Sequence, residues 1–247
     1  MLEKRILILF CLMLMLSLGC FAQKKSGIVK YKAEVNKKYV DSFLVALKKD
    51  KKTAMHIKQG VIQMFRNSTP DEFILSFKNE ESYYHHIPKL KNEVGFSMGS
   101  RAGTMPYYTN NKTNAIIEIS RALGATLHKP LDWKVNNKTK MIGKYKCYQA
   151  TTTERLYSRK GFYYSKQAIA WFAPSIPLNF GPMHYKGLPG LILALNTDEF
   201  TMNAVEINLN PLKEVKIKRL SKKTKIKTQE EAHGLIDELE KERKKGY

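Results

Sequence analysis

The chain has 247 residues, 43% hydrophobic and 26% charged, with 43 Lys and Arg against 22 Asp and Glu and a formal net charge of +21. That apolar share excludes a disordered or fibrous protein, and three cysteines exclude a disulfide-built scaffold. So basic a balance asks for an acidic counter-surface, which for a cytoplasmic protein would be nucleic acid first.

The first 22 residues move that expectation out of the cytoplasm. Lys4 and Arg5 form a positive n-region, Ile6 to Leu18 an apolar core, and Cys20-Phe21-Ala22 a small-x-small cleavage site before Gln23. The apolar run is shorter than the roughly 18 residues a membrane span needs. Lipidation at Cys20 is the competing reading, but Ser17 stands where a lipobox wants a large aliphatic residue. The expectation is an exported protein, periplasmic or outer-membrane-associated. Cleavage removes Cys11 and Cys20, leaving Cys147 as a lone thiol expected to act as a small apolar filler. Glu3, Lys4 and Arg5 carry just one unit of the net charge, so the mature chain stays basic. After export its counter-surface is anionic lipid, lipopolysaccharide or an acidic protein. No nucleic-acid motif appears, and no nucleic-acid partner is expected.

From Gly27 to Val35, Val29, Tyr31, Ala33 and Val35 share one face of an expected strand. Asp41 is placed to cap a helix carrying Phe43, Leu44 and Leu47, and a second helix is expected from about Met55 to Phe65. Phe73, Leu75 and Phe77 alternate with polar residues, and Asn79-Glu80-Glu81 turns them into Ser82 to Ile87 as a hairpin. Residues 88–105 read as a long loop. Short strands then recur at about 106–110, 114–120, 124–129, 131–136, 142–153, 167–173, 190–196, 199–208 and 213–220. Thr228 and Glu231 make a capping box for a last helix, with Ala232, Leu235, Ile236 and Leu239 as its docking stripe and a frayed end. The fold class is mainly β (α+β): a single antiparallel, curved sheet or half-barrel with peripheral helices and a C-terminal helix. Its divisions are 1–22, signal; 23–220, β domain; 221–247, basic linker and helix.

Residues 187–193 read Gly-Leu-Pro-Gly-Leu-Ile-Leu. Pro189-Gly190 suits the centre of a type II turn, with glycine accepting positive φ, and Leu191 to Leu195 suits a strand buried on both faces. This heptapeptide resembles the signature of the GLPGLI family of secreted bacterial proteins. The resemblance extends over residues 131–195: Trp133, Thr139, Lys140, Ile142, Tyr145, Cys147 and Ala150, then Ala170-Trp171-Phe172, Ile176-Pro177, Gly181-Pro182 and Gly187, Leu188, Pro189, Gly190. Lys144 after Gly143 and the basic tail depart from the pattern. The resemblance implies an exported protein associated with TonB-dependent outer-membrane systems, and it brings no activity. Physically the block reads as a knot of prolines and glycines over two tryptophans, closing the core or shaping the mouth of a pocket.

Chemistry is harder to find. Gly95-Phe96-Ser97-Met98-Gly99 matches a nucleophile elbow but lacks its strand and helix. His85, His86, His128 and His184 invite a metal, yet adjacent strand residues face opposite ways and no ligand spacing occurs, so no metal and no cofactor are expected. His184 stands out because it lies in the proline–glycine loop. Asp132, Glu154, Asp198 and Glu199 fall near strand ends with no visible pairing. The basic stretch 216–227 mixes lysines with Ile217, Leu220 and Ile226, as an anionic lipid surface would want. The preferred reading is a non-enzymatic binding or partner-interaction domain of the envelope, taking a hydrophobic ligand or an envelope protein. The alternative is a hydrolase-like envelope enzyme with residues assembled from separate strands.

Overall fold

A computed structural model describes residues 26–89 and 99–245. The expected signal and Cys20, the nucleophile-elbow serine and the start of its loop lie outside these residues. The elements are β1 (Ser26–Val35), α1 (Lys37–Lys49), α2 (Met55–Arg66), β2 (Asp71–Lys78), β3 (Glu81–Ile87), β4 (Tyr107–Asn110), β5 (Ala115–Ser120), β6 (Gly124–Leu127), β7 (Lys134–Ile142), β8 (Tyr145–Tyr157), β9 (Tyr163–Ala173), β10 (Leu191–Thr197), β11 (Phe200–Asn208), β12 (Ile226–Lys227) and α3 (Gln229–Lys245).

The strands form one large open sheet in the order β12-β6-β5-β4-β3-β2-β1-β11-β10-β9-β8-β7. Eleven of them are joined antiparallel, but β12 pairs with β6 in parallel, so the sheet is mixed and not purely antiparallel as expected. Two residues are too few for β12 to show a period in sequence. The expected strand 213–220 does not form. Its alternation serves only to bury Val215, while Arg219 chelates Glu81 and Lys218 sits over the Tyr83 ring at 5.9 Å.

One face of the central strands carries the core. Val29, Tyr31 and Ala33 are fully buried, in register with Leu75 and Phe73 on β2 and with Met202 on β11. Tyr31 donates to the carbonyl of Ile192 at 2.6 Å, beside the register break between Ile192 and Ala194, so the buried hydroxyl is partnered at the bulge. β10 is buried from Leu191 through Leu195, as its unbroken apolar run predicts.

Residues 174–190, between β9 and β10, fill the space over this face. Ile176, Leu178, Phe180, Tyr185 and Leu188 are buried in the core, with Phe180 against Phe77 at 5.9 Å. Backbone bonds tie this plug to itself and to β10: Leu191 N–H to Ile176 O at 3.0 Å, Ile192 N–H to Phe180 O at 3.0 Å. The expected type II turn is absent. Gly190 does not have positive φ, and Gly187 does (94°). Gly190 is required for closeness instead: a β-carbon there would lie 2.6 Å from Ala173 C and 2.8 Å from Pro174 N.

The helices are peripheral. α1 starts one turn earlier than expected, capped by Asn36 and not Asp41; the Asn36 side chain accepts from Lys38 N and donates to Thr197 O at 2.9 Å. The capping box of α3 forms in both directions, Thr228 N to Glu231 at 2.7 Å and Glu231 N to Thr228 Oγ1 at 3.1 Å. Of its expected stripe only Ala232 is buried. α3 is held by polar and ring contacts: Tyr157 donates to Asp237 at 2.6 Å and stacks on His233 at 4.4 Å.

Candidate functional site

The plug brings together two strand groups that are far apart in the sheet. On β8, Glu154 points to the core side and accepts hydrogen bonds from His184 Nε2 (2.7 Å) and from the Tyr185 hydroxyl. Across the plug, Glu118 on β5 accepts from Tyr107 on β4 (2.7 Å) and pairs with His128 Nε2 (3.1 Å), just past β6. Each set is thus a tyrosine, a glutamate and a histidine. The two imidazoles stack with centroids 5.2 Å apart and planes 21° apart, and Tyr107 lies 5.8 Å from both.

Local sequence explains each placement. Tyr107 and Glu118 are directly opposite in the β4–β5 ladder, so they share a face. Glu154 is opposite Lys166 on β9, and Lys166 bridges to Glu199 at 2.7 Å, which Arg101 also holds at 2.8 Å. His184 follows Met183, whose φ is +56°, so the plug turns there to deliver its imidazole and the next ring, Tyr185, side by side at 4.3 Å.

The two sets differ in exposure. The Glu154 side chain is 4% exposed and that of Glu118 22%. Burial pushes both carboxyls up, but His184 and Tyr185 around Glu154, and His128 and Tyr107 around Glu118, outweigh it and hold both below the ordinary glutamate value. Burial, reinforced by the adjacent carboxylates, holds Tyr107 and Tyr185 well above the ordinary tyrosine range, so they act as donors. Each depressed carboxyl stabilises the fold above its unfolded value of 4.5, and that contribution is lost as pH falls through the lower folded value. The thermal midpoint should therefore drop steeply below about pH 4.5 and less steeply in Glu118→Gln; a midpoint constant from about pH 6 to about pH 3 would contradict it.

His184 Nδ1 is buried and has no hydrogen-bond partner among the described residues. An imidazole fixed through Nε2 by a carboxylate, with its other nitrogen unpaired, has the hydrogen-bonding pattern of a general base, here turned into the interior. Among the described residues no group of three or more His, Cys, Asp and Glu is disposed to hold a metal ion.

The other motif residues divide between two sides of the sheet. Trp133, just before β7, donates from Nε1 to Lys186 O at 2.9 Å and lies beside Tyr185, under the plug. Gly181 and Pro182 are buried in the plug, and Pro177, Gly187 and Pro189 are its exposed corners. Trp171 is not under it. Ala170 and Phe172 face the core, so strand alternation turns Trp171 to the opposite face, where Lys140 stands 4.5 Å over its ring. Cys147 is fully buried opposite Lys140, with Tyr145 partly buried two residues before it, and burial pushes the thiol up to about 11, which makes it inert. His85 and His86 do face opposite ways, against Tyr83 and Phe73.

Residues 160–194 match a family model. Its description is a protein of unknown function (Porph_ging), and the match runs from the approach to β9 through the plug into β10. No curated protein matches the chain. Solved structures of PNGF-II in the C2 and P21 space groups are similar at TM-scores of 0.47 and 0.46, with 13% and 14% identity, over 86% of this chain and 32% and 33% of theirs. The chain spans about a third of those chains' length. A likeness at that level extends to no site.

Proposed function

We propose that the chain is an exported cell-envelope protein, a half-barrel curled round its own plug, that works by contact with a partner and not by turnover in its interior. One observation carries this reading. The plug, which lies within the segment matching the family model, is largely internal, and the protein engages it through its own polar groups: Glu154 holds His184 Nε2 and Tyr185, Trp133 holds Lys186 O, and Lys186 reaches Asn114 at 3.2 Å. Phe180, Tyr185 and Leu188 occupy the interior that a hydrophobic ligand would need. The expected leader at 1–22 supports export to the envelope, with a TonB-dependent system as the partner that the family resemblance suggests.

A second reading rests on the buried, unpaired Nδ1 of His184: an acid–base site that takes a proton from a bound hydroxyl. Native mass spectrometry of protein isolated from the envelope separates the two. The first reading expects a stoichiometric complex with another envelope protein, unchanged in His184→Gln. A small bound mass, or a hydrolytic activity that disappears in folded His184→Gln, would reject it for the second.

A further inference from the structure

The hairpin of α1 and α2 stands apart from the chemistry of the sheet. Residues 37–66 hold eight basic and two acidic side chains. α1 is strongly amphipathic, yet none of its 13 residues is buried. Among the described residues, the ring contacts of its aromatic side chains are to the hairpin's own rings and to one arginine: Phe43 lies 5.2 Å from Phe65, and Arg101 stands over Tyr39. Both ends of the hairpin are anchored, at Asn36 on Thr197 O and through Ser68 on Gly99 O, so the segment between the helices is its distal tip.

That tip is built in an unusual way. Lys48, Lys49, Lys51 and Lys52 are all exposed, and among the described residues none of their side chains makes an ion pair. The one acid among them, Asp50, is turned onto the tip's own backbone and hydroxyl: it accepts from Lys52 N at 2.8 Å and from Thr53. Lys58 is in turn held by the Asp50 carbonyl. Around these four charges stand three apolar side chains with half or more of their surface in water: Met55 (67% exposed), Val45 (53%) and Ile57 (50%). In the basic stretch 216–227 three of the seven charges have partners, Arg219 on Glu81, Lys218 on Tyr83 and Lys227 on Leu123 O at 2.9 Å, and Ile226 alone among its large apolar side chains is exposed.

Clustered lysines with exposed Met, Val and Ile are what an anionic bilayer surface selects: the ammonium groups meet headgroup phosphates and the apolar side chains enter the acyl boundary. An acidic protein would match the charge but leave the three apolar groups without a matching layer. We propose that the α1–α2 tip docks the protein on an anionic phospholipid surface. No helix among the described residues is long and apolar enough to cross a membrane, and none need be for this peripheral contact. The proposal deepens the partner reading by naming one surface, and rests on export only for where it acts.

The test is co-sedimentation of the whole protein with vesicles of equal parts phosphatidylglycerol and phosphatidylcholine, against phosphatidylcholine alone. Binding is expected only to the anionic vesicles and should weaken as salt is raised. Replacing Lys48, Lys49, Lys51 and Lys52 with Ala should lower the partition coefficient by about three orders of magnitude, and Met55→Ser by about threefold. The control removes the same charge elsewhere, at Lys216, Lys222, Lys223 and Lys225, and should change binding by less than about threefold. Circular dichroism checks that each variant melts like the parent. Equal losses in the two quadruple variants would overturn the proposal, because binding would then belong to overall charge. No binding to anionic vesicles would also overturn it, while leaving the partner reading to its own mass-spectrometric result.

Discussion

Gly190→Ala is expected to cost about 3 kcal/mol or more, which for a chain of this size lowers the melting temperature by about 6–12 °C. The added methyl would fall within 2.6 Å of Ala173 C and 2.8 Å of Pro174 N, and both are backbone atoms that no rotamer change can move. Gly190 itself is buried at the junction of the plug and β10, so relaxation would shift Leu191 and Ile192 out of register with Ile176 and Phe180. Gly187 supplies the contrast. It has φ of 94°, but a β-carbon there would meet nothing within 4 Å, so Gly187→Ala costs only backbone strain, about 1–2 kcal/mol. Thermal melts of the two variants should rank in that order. The reverse ranking would show that the heptapeptide is held by turn conformation and not by close approach.

Glu154→Leu is the second large effect, about 3–5 kcal/mol. Leucine fills the space but leaves His184 Nε2 and the Tyr185 hydroxyl facing an apolar group in the core, where each unpartnered donor carries its full desolvation cost. Glu118→Leu removes the same kind of acceptor from His128 and Tyr107, yet its carboxylate is 22% exposed against 4% for Glu154, so water can replace it. Its cost should be less than half as large in chemical denaturation. Equal costs would mean that the two sets are equally dry and that exposure does not distinguish them.

Both sites mark how far local sequence signals reach. Alternation finds β1 through Val29, Tyr31 and Ala33, and continuity finds β10, because each signal lies within a few adjacent residues. The capping box of α3 is equally local. Glu154 is visible as an acid in a strand, and His184 as a histidine in a rigid loop, but 30 residues separate them and their pairing depends on how the plug is seated. Tyr107, Glu118, His128 and Tyr185 do not stand out as a set in the sequence. The available signal is the β4–β5 hairpin register, which puts Tyr107 opposite Glu118, though nothing local says that His128 turns back to the same carboxylate. Trp171 misleads for a different reason. Its neighbours Ala170 and Phe172 take the core side, and size alone makes the tryptophan look like the buried member of the three. The 213–220 segment misleads because alternating Val215 and Ile217 suit an edge strand in sequence, whereas Lys218 and Arg219 find partners on β3 that hold the segment as coil.

Residues 174–190 are a fixed internal plug latched by Glu154. Native-state hydrogen exchange tests it most directly. The amides of Ile176, Gly187, Leu191 and Ile192 each donate inside this segment or to its borders, and a fixed plug requires that they exchange only with global unfolding, as slowly as the amides of β1. Exchange of these four by a lower-energy opening, with β1 still protected, would contradict it and show that the segment leaves the interior as a lid.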